Sequence, residues 1–346
     1  MSNNSGPAAE RWSRLIEEFR SFGGTANNVI QRQGPLGLGL FPIDPSKPVE
    51  IRAPEHLLVA SNNVDLCNGN IVIKDPTGYP VGYCEWYEQF QAEFSWGADA
   101  KRTILEFETN LKSLPPEIIQ LLNQFSPTDI SKRFPQVEEE RELLRRFILT
   151  RQINKNGRTV LMPIIELVNH SPHHASFGMN EHDISVLGEF EGEILVRYSV
   201  CDPLYRLLKY GFNCNELHGF SMNTKIKHRG LNIVINGGVN FEPHKTIPLS
   251  AKNGIIHINK PVLAWYVKPR MPRALFNHCC KNLKGIDADE LFDQIHLRNR
   301  LVIIEILRRL SSSDTTIANQ LREACFNQLE ALSQHFGTRK LDEDPS

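Results

Sequence analysis

The chain has no apolar run approaching the roughly 20 residues needed to cross a bilayer, so it offers no membrane-spanning segment. It has no Cys-x-x-Cys pair, and its seven cysteines, Cys67, Cys84, Cys201, Cys214, Cys279, Cys280 and Cys325, are scattered at spacings that fit neither a zinc site nor a disulfide framework. An odd cysteine count without a secretion signal points to a reducing interior. No Gly-Lys-Ser/Thr follows any glycine cluster, which excludes a P-loop. Charge of one sign is also missing in excess: the net value is −1. No global basic field is present to capture phosphates, and nucleic-acid binding would need a local patch. Internal repeats and low-complexity blocks are absent. These absences describe a soluble protein of the cell interior, expected in the cytoplasm with the nucleus as the alternative.

What is present is ordinary globular material in 346 residues, 40% hydrophobic and 23% charged, enough for a buried core and for two domains. After a short start expected to be disordered, Trp12, Leu15, Ile16 and Phe19 recur at helical spacing up to Gly23-Gly24. From Asn28 to Ala60 short apolar runs broken by Gly and Pro read as strands and turns. Residues 85–147 return to the helical period, as an insertion between two strand-rich halves. Strand-like segments fill 159–200, a helical turn follows at Asp202–Phe212, and strands recur over Leu231–Val267. The region from Pro272 to Phe336 is helical, before a polar end expected to fray.

Segments far apart in the chain carry candidate chemistry. The first is Gly34-Pro35-Leu36-Gly37-Leu38-Gly39-Leu40-Phe41, a glycine-rich loop between apparent strands. Taken alone it reads first as a turn, although glycines also let backbone approach a ligand closely. It lacks the following helix and acidic partner of a dinucleotide fingerprint. The second is Met162–Val168, an apolar strand running into Asn169-His170-Ser171. A buried strand ending in polar residues sets them at a cleft mouth, whereas the plainer reading makes them turn and cap residues. His173 and His174 stand near His170, but no Cys or acidic ligand lies at metal spacing, so no metal site is expected. The third is Val196-Arg197-Tyr198 followed by Tyr210-Gly211-Phe212. Aromatic pairs are usually core, yet a tyrosine at a strand end, a helical turn and an aromatic-Gly-aromatic closure form an unusual order.

That order, glycine loop, Asn-His-Ser, strand-end Tyr and then Tyr-Gly-Phe, resembles the SET-domain methyltransferases. Leu149-Thr150-Arg151-Gln152, the helical insertion and the helical tail are similar to the branch of plant Rubisco large-subunit methyltransferase, which includes an animal actin-histidine methyltransferase. The resemblance implies an α+β fold: a SET-type arrangement of short strands over residues 25–213 with a helical insertion at about 95–147. A helix over 1–24 precedes it, and a mainly helical domain over 214–346 follows and helps to dock a protein substrate. The implied cofactor is S-adenosylmethionine. Leu36, Gly37, Leu38 and Gly39 would hold its methionine end with backbone. Arg151 would grip its carboxylate, as a guanidinium can do bidentately. Asn169 would take its amino group, His170 the adenine, and Phe212 would pack on the ring, with Glu166 beside them. Tyr198 matches the family's catalytic tyrosine and Tyr210 would assist it.

The chain departs from these relatives on the substrate side. After the tyrosine they carry Gly-x-Arg/Lys-Ser-Asn-Ala, where this chain has Ser199-Val200-Cys201-Asp202-Pro203-Leu204. Glu166 stands for a common Asp. Ile165 stands where the histidine-methylating relative has a tryptophan, and Ile153 replaces the asparagine that orients its histidine. An apolar Ile153 cannot make that hydrogen bond, so lysine is the expected acceptor, with Ile153 and Ile165 on the substrate side. A Cys-x-Cys cluster that closes many histone-directed sites is missing, which favours a non-histone protein. The expectation is a monomeric protein-lysine N-methyltransferase. Histidine methylation, or a non-catalytic protein-binding module of the same fold, are the alternatives.

Overall fold

The computed structural model describes residues 7–133, 139–239 and 247–341. The polar start through residue 6 and the last five residues, expected to be disordered and frayed, lie outside the described residues, as do 134–138 of the helical insertion. Residue contacts divide the chain into two compact units, Met1–Glu106 with Phe134–Tyr198, and Phe107–Arg133 with Ser199–Ser346. Both mix helix and strand, so the chain is α+β, and the helical stretch at 95–147 contributes to each.

In the first unit, helix α1 (Pro7–Ser21) buries Trp12, Leu15, Ile16 and Phe19, the stripe its 3.6-residue period requires. Strands β1 (Thr25–Asn27), β2 (Val29–Gly34), β3 (Gly37–Pro42), β4 (Val49–Pro54), β5 (Val59–Ala60), β6 (Val64–Cys67) and β7 (Asn70–Ile73) follow. In β4 alternate residues Val49, Ile51 and Ala53 are buried, the two-residue period of a strand with one face on the core. Helix α2 (Tyr83–Phe90) buries Tyr83, Trp86, Tyr87 and Phe90. Trp86 stacks on Phe19 at 5.4 Å and donates from its indole to the Leu15 carbonyl at 3.0 Å. A π-helical turn, Gln91–Ser95, extends α2. Helix α3 (Gly97–Lys112) then carries the chain towards the second unit.

The first unit resumes at α5 (Glu139–Arg151), with Glu139, Glu140 and Glu142 in its first turn and Arg151 in its last, charges that suit the helix dipole. Strands β8 (Ile153–Lys155), β9 (Arg158–Leu161), β10 (Asn169–His170), β11 (Gly178–Met179), β12 (Asp183–Gly188) and β13 (Leu195–Val196) complete it. The largest sheet runs β1-β4-β12-β11, all antiparallel. Ile184 lies opposite Ala53 and Val186 opposite Ile51, so four core residues share one face.

Two local expectations differ from the structure. The glycine segment is no loop: Gly37, Leu38 and Gly39 lie in β3, which pairs with β2 as a hairpin closed by Gly34 opposite Gly37. Gly37 takes φ +99°, a conformation that favours glycine. Residues 162–168 are no strand: Ile165–Leu167 form a 3-10 turn. Pro163 cannot donate to a ladder, and Ile164 sits at φ +66°, fully buried. A β-branched residue there stores strain that the surrounding packing has to hold.

The second unit holds α4 (Pro116–Leu122) and α6 (Pro203–Tyr210), then strands β14 (His218–Phe220), β15 (Thr224–His228), β16 (Leu231–Asn236), β17 (Leu249–Lys252), β18 (Ile255–Asn259) and β19 (Val262–Trp265). The sheet order is β15-β16-β18-β17 with β16 and β18 parallel. Helices α7 (Met271–Cys280), α8 (Ala288–Leu310) and α9 (Thr316–Leu341) close the chain. In α8 Leu291, Phe292, Ile295, Ile303, Ile306 and Leu310 are buried, a face that accounts for its helical period. Among the described residues no helix is long and apolar enough to cross a membrane.

Candidate functional site

The short strands β10 and β13 pair in parallel, Asn169 opposite Leu195 and His170 opposite Val196. Residues separated by a long stretch of chain thereby become neighbours. The Tyr198 backbone N–H donates to His170 Nδ1 at 3.1 Å. That bond makes Nδ1 the acceptor nitrogen, so a neutral His170 carries its proton on Nε2. The Tyr198 hydroxyl donates to the Val168 carbonyl at 2.6 Å. Its ring lies 5.1 Å from the His170 ring and stacks on Phe177 at 6.1 Å. The Tyr198 backbone and hydroxyl are both held, by His170 and Val168.

The glycine hairpin reaches the same place. Asn169 Nδ2 donates to the Leu38 carbonyl at 3.1 Å and to Glu193 Oε1 at 2.6 Å. A Cβ on Gly39 would stand 2.2 Å from Glu193 Oε1 and 2.7 Å from Asn169 Nδ2, so only glycine lets β3 pass this close without moving those side chains. Leu36 and Leu38 are 57% and 55% exposed on the hairpin. Sequence reasoning passed over Glu193. The available signal was Gly192-Glu193 directly before the apolar strand that leads to Tyr198.

Arg151 ends α5 close to the interior carboxylate of Glu166, with Nε 3.8 Å from Oε1. Glu166 is fully enclosed and accepts hydrogen bonds from Gln91 Nε2 at 2.8 Å and Ser95 Oγ at 2.5 Å. Both donors come from the π-helical turn, one at each end of it. Burial raises the Glu166 pKa, while Arg151, Ser95 and Gln91 oppose the rise. Glu166 therefore anchors Arg151 from within rather than facing a ligand. The Arg151 guanidinium spreads over the Phe147 ring at 4.9 Å and its side chain remains 18% exposed, which leaves an anchored cation able to receive a carboxylate. Ile165 is fully buried in the core and presents no surface to a substrate, whereas Ile153 is half-buried against that core.

The fold is similar to that of solved SET-domain structures. One is the SET domain of LSMT bound to lysine and AdoHcy, with 12% identity and a TM-score of 0.41 over 99% of this chain and 93% of that one. Another is Rubisco LSMT bound to sinefungin and monomethyllysine, with 12% identity and a TM-score of 0.40 over 98% and 93%. Neither a protein-family model nor a curated protein matches the sequence. The chemistry of the site rests on its own residues.

Tyr210 and Phe212 belong to the second unit. Asp202 caps α6 by accepting from the Tyr205 N–H at 2.8 Å, Pro203 starts the helix, and Gly211 ends it in the left-handed region. Tyr210 and Phe212 flank that end with ring centroids 6.1 Å apart. The Arg206 guanidinium lies 4.7 Å from the Tyr210 ring and 5.9 Å from Phe212. It is held by Glu216, Nε to Oε1 at 2.5 Å, with the two side chains 0% and 2% exposed. Cysteine chemistry has little support. Burial pushes the Cys214 and Cys280 thiols up to about 12 and the Cys201 and Cys325 thiols upward as well, far from a reactive thiolate.

Burial also pushes the Asp202 carboxyl up to about 7, reinforced by Glu216 and opposed by its cap bond. A carboxyl whose pKa is higher folded than unfolded favours the fold while protonated, so stability falls as pH rises from about 4 to about 7. Asp202→Asn keeps the cap without the charge. Urea midpoints measured across pH 4–8 should show the variant gaining on the wild type through that window, by on the order of a few kcal/mol at the top. Parallel pH curves would contradict the assignment.

Proposed function

We propose that this chain is an S-adenosylmethionine-dependent protein N-methyltransferase whose acceptor is a lysine of a non-histone protein. The observation that carries the reading is the convergence, within one unit, of the glycine hairpin, Asn169-His170 and Tyr198, three segments joined by the parallel β10–β13 pair and by the Asn169 bond to the Leu38 carbonyl. The Gly39 cradle and the anchored Arg151 are suited to the amino-acid end of such a cofactor: close backbone, an amide and a guanidinium.

When bound, S-adenosylmethionine supplies a methyl group on a sulfonium, ready for in-line displacement. Arg151, backed by Glu166 and Phe147, binds carboxylate. Asn169 is set by Leu38 so that its amide meets the amino-acid end, and His170 stands beside it on β10. Tyr198 orients the acceptor: its hydroxyl is fixed on Val168 and its ring, stacked with Phe177, forms an apolar wall. Such a wall excludes water and lowers the pKa of an incoming lysine, which must be neutral to attack. Alignment of this kind is worth several kcal/mol. Ile153 offers no hydrogen bond to an imidazole, which supports lysine over histidine.

Isothermal titration with S-adenosylhomocysteine tests the cofactor half of the reading. One-to-one binding that is lost in Arg151→Ala is expected; no heat at high micromolar ligand would overturn it.

A further inference from the structure

Glu193 has a setting that its neighbours lack. The segment between β12 and β13 carries three glutamates, Glu189, Glu191 and Glu193; the first two are exposed, but Glu193 turns inward and is half-buried. Its Oε1 accepts from Asn169 Nδ2 at 2.6 Å. Gly39 and Gly34 both make room for it: a Cβ on Gly39 would meet Oε1 at 2.2 Å, and one on Gly34 would meet Oε2 at 3.1 Å. The backbone does not need this carboxylate for its own pairing, since the Ile194 N–H already donates to the Leu40 carbonyl at 2.8 Å and Leu195 is paired in β13.

Among the described residues no cation forms an ion pair with Glu193, and its one hydrogen bond is the amide of Asn169. Arg32, opposite Gly39 across the hairpin, lays its guanidinium over the Phe41 ring at 4.2 Å. A half-buried carboxylate held by a neutral donor has lost part of its hydration without gaining a counter-charge, which costs free energy unless a cation completes it. The same contact sets Asn169. With Nδ2 committed to Leu38 and Glu193, the Asn169 Oδ1 is left as an acceptor without a hydrogen bond among the described residues. A carboxylate, an amide oxygen and the Leu38 carbonyl are three acceptors around a glycine cradle, the complement of a group with three N–H donors and a positive charge.

We infer that Glu193, with Asn169 and the Leu38 carbonyl, forms a subsite for a primary ammonium group and receives the α-ammonium at the amino-acid end of the cofactor. The inference rests on the S-adenosylmethionine reading and adds to it a residue with two tasks, supplying the counter-charge and fixing the orientation of the Asn169 amide. Glu193→Gln keeps the shape and an acceptor while removing the charge.

Calorimetric titration of wild type and Glu193→Gln with two ligands tests it: S-adenosylhomocysteine, and its des-amino analogue, in which hydrogen replaces the α-ammonium. The variant should bind S-adenosylhomocysteine about tenfold or more weakly, as expected for a charge-assisted hydrogen bond, and should bind the des-amino analogue with unchanged affinity. Glu193→Asp, charged but one methylene shorter, should fall between the two. Equal weakening of both ligands would reduce Glu193 to a structural part of the hairpin, and unchanged affinity for S-adenosylhomocysteine would remove it from the site; either overturns the inference and leaves the cofactor reading standing. Failure of the wild type to bind S-adenosylhomocysteine overturns the cofactor reading, and the inference with it.

Discussion

Tyr198→Phe should lower methyl transfer by about 100-fold or more, while the affinity for S-adenosylhomocysteine stays within about twofold of wild type. Removing one pre-positioned polar group from a reacting centre typically costs that much in rate. The Tyr198 hydroxyl is pre-positioned here, because the Val168 carbonyl fixes it at 2.6 Å and the strand pair fixes the backbone beneath it. Phenylalanine keeps the ring, the stack on Phe177 and the Tyr198 backbone bond to His170, so the cofactor contacts have no reason to change, and the cost to the fold is the donor lost by the Val168 carbonyl, about 1–3 kcal/mol. Methyl label transferred to protein measures the rate, and calorimetry measures the affinity. Equal loss of both would mean that the substitution damages the strand pair, and unchanged transfer would remove Tyr198 from the chemistry.

The second large effect concerns the second unit. Glu216→Ala should destabilise that unit by about 3–5 kcal/mol, the usual cost of leaving one partner of a buried ion pair without its counter-charge. Arg206 is fully buried, its Nη1 has no hydrogen-bond partner among the described residues, and Glu216 is its acidic partner at 2.5 Å. Arg206 is also the cation against which Tyr210 and Phe212 rest, so loss of the pair should loosen both rings. Replacing the pair together, Arg206→Met with Glu216→Leu, should recover much of the stability, since an apolar pair of similar volume removes the desolvation penalty as well as the attraction. Chemical denaturation followed by fluorescence checks both. A single-variant cost below about 1 kcal/mol would place the pair in an environment as permissive as a surface salt bridge.

Much of the fold was legible because burial follows period. The α1 stripe of Trp12, Leu15, Ile16 and Phe19 is read directly from spacing, and the helical turn expected over Asp202–Phe212 is α6. The helical period of α8 is also legible, but His296, expected to face solvent, is fully buried. The run Met162–Val168 misled because a short apolar segment gives no period to distinguish a strand from a buried turn. The positive φ of Ile164 is decided by tertiary packing, not by its own preference. The glycine segment read as a loop became a strand because the turn needs only Pro35 and Leu36. For the candidate site, sequence order gave Asn169, His170 and Tyr198, and the structure brings those three together. It could not give the inward turn of Glu193 onto Asn169, nor the approach of Glu166 to Arg151, because each pair is separated in the chain and meets only through tertiary packing.

The most direct measurement of the central claim is transfer of the labelled methyl group of S-adenosylmethionine to protein in an extract of cells lacking this chain, with the purified chain added and the labelled protein hydrolysed to amino acids. The account predicts label in methyllysine on one or a few proteins, absent when Tyr198→Phe replaces the wild type. Label in methylhistidine would contradict the acceptor assigned from Ile153, and no label in protein, with S-adenosylhomocysteine nonetheless bound, would contradict the enzyme itself.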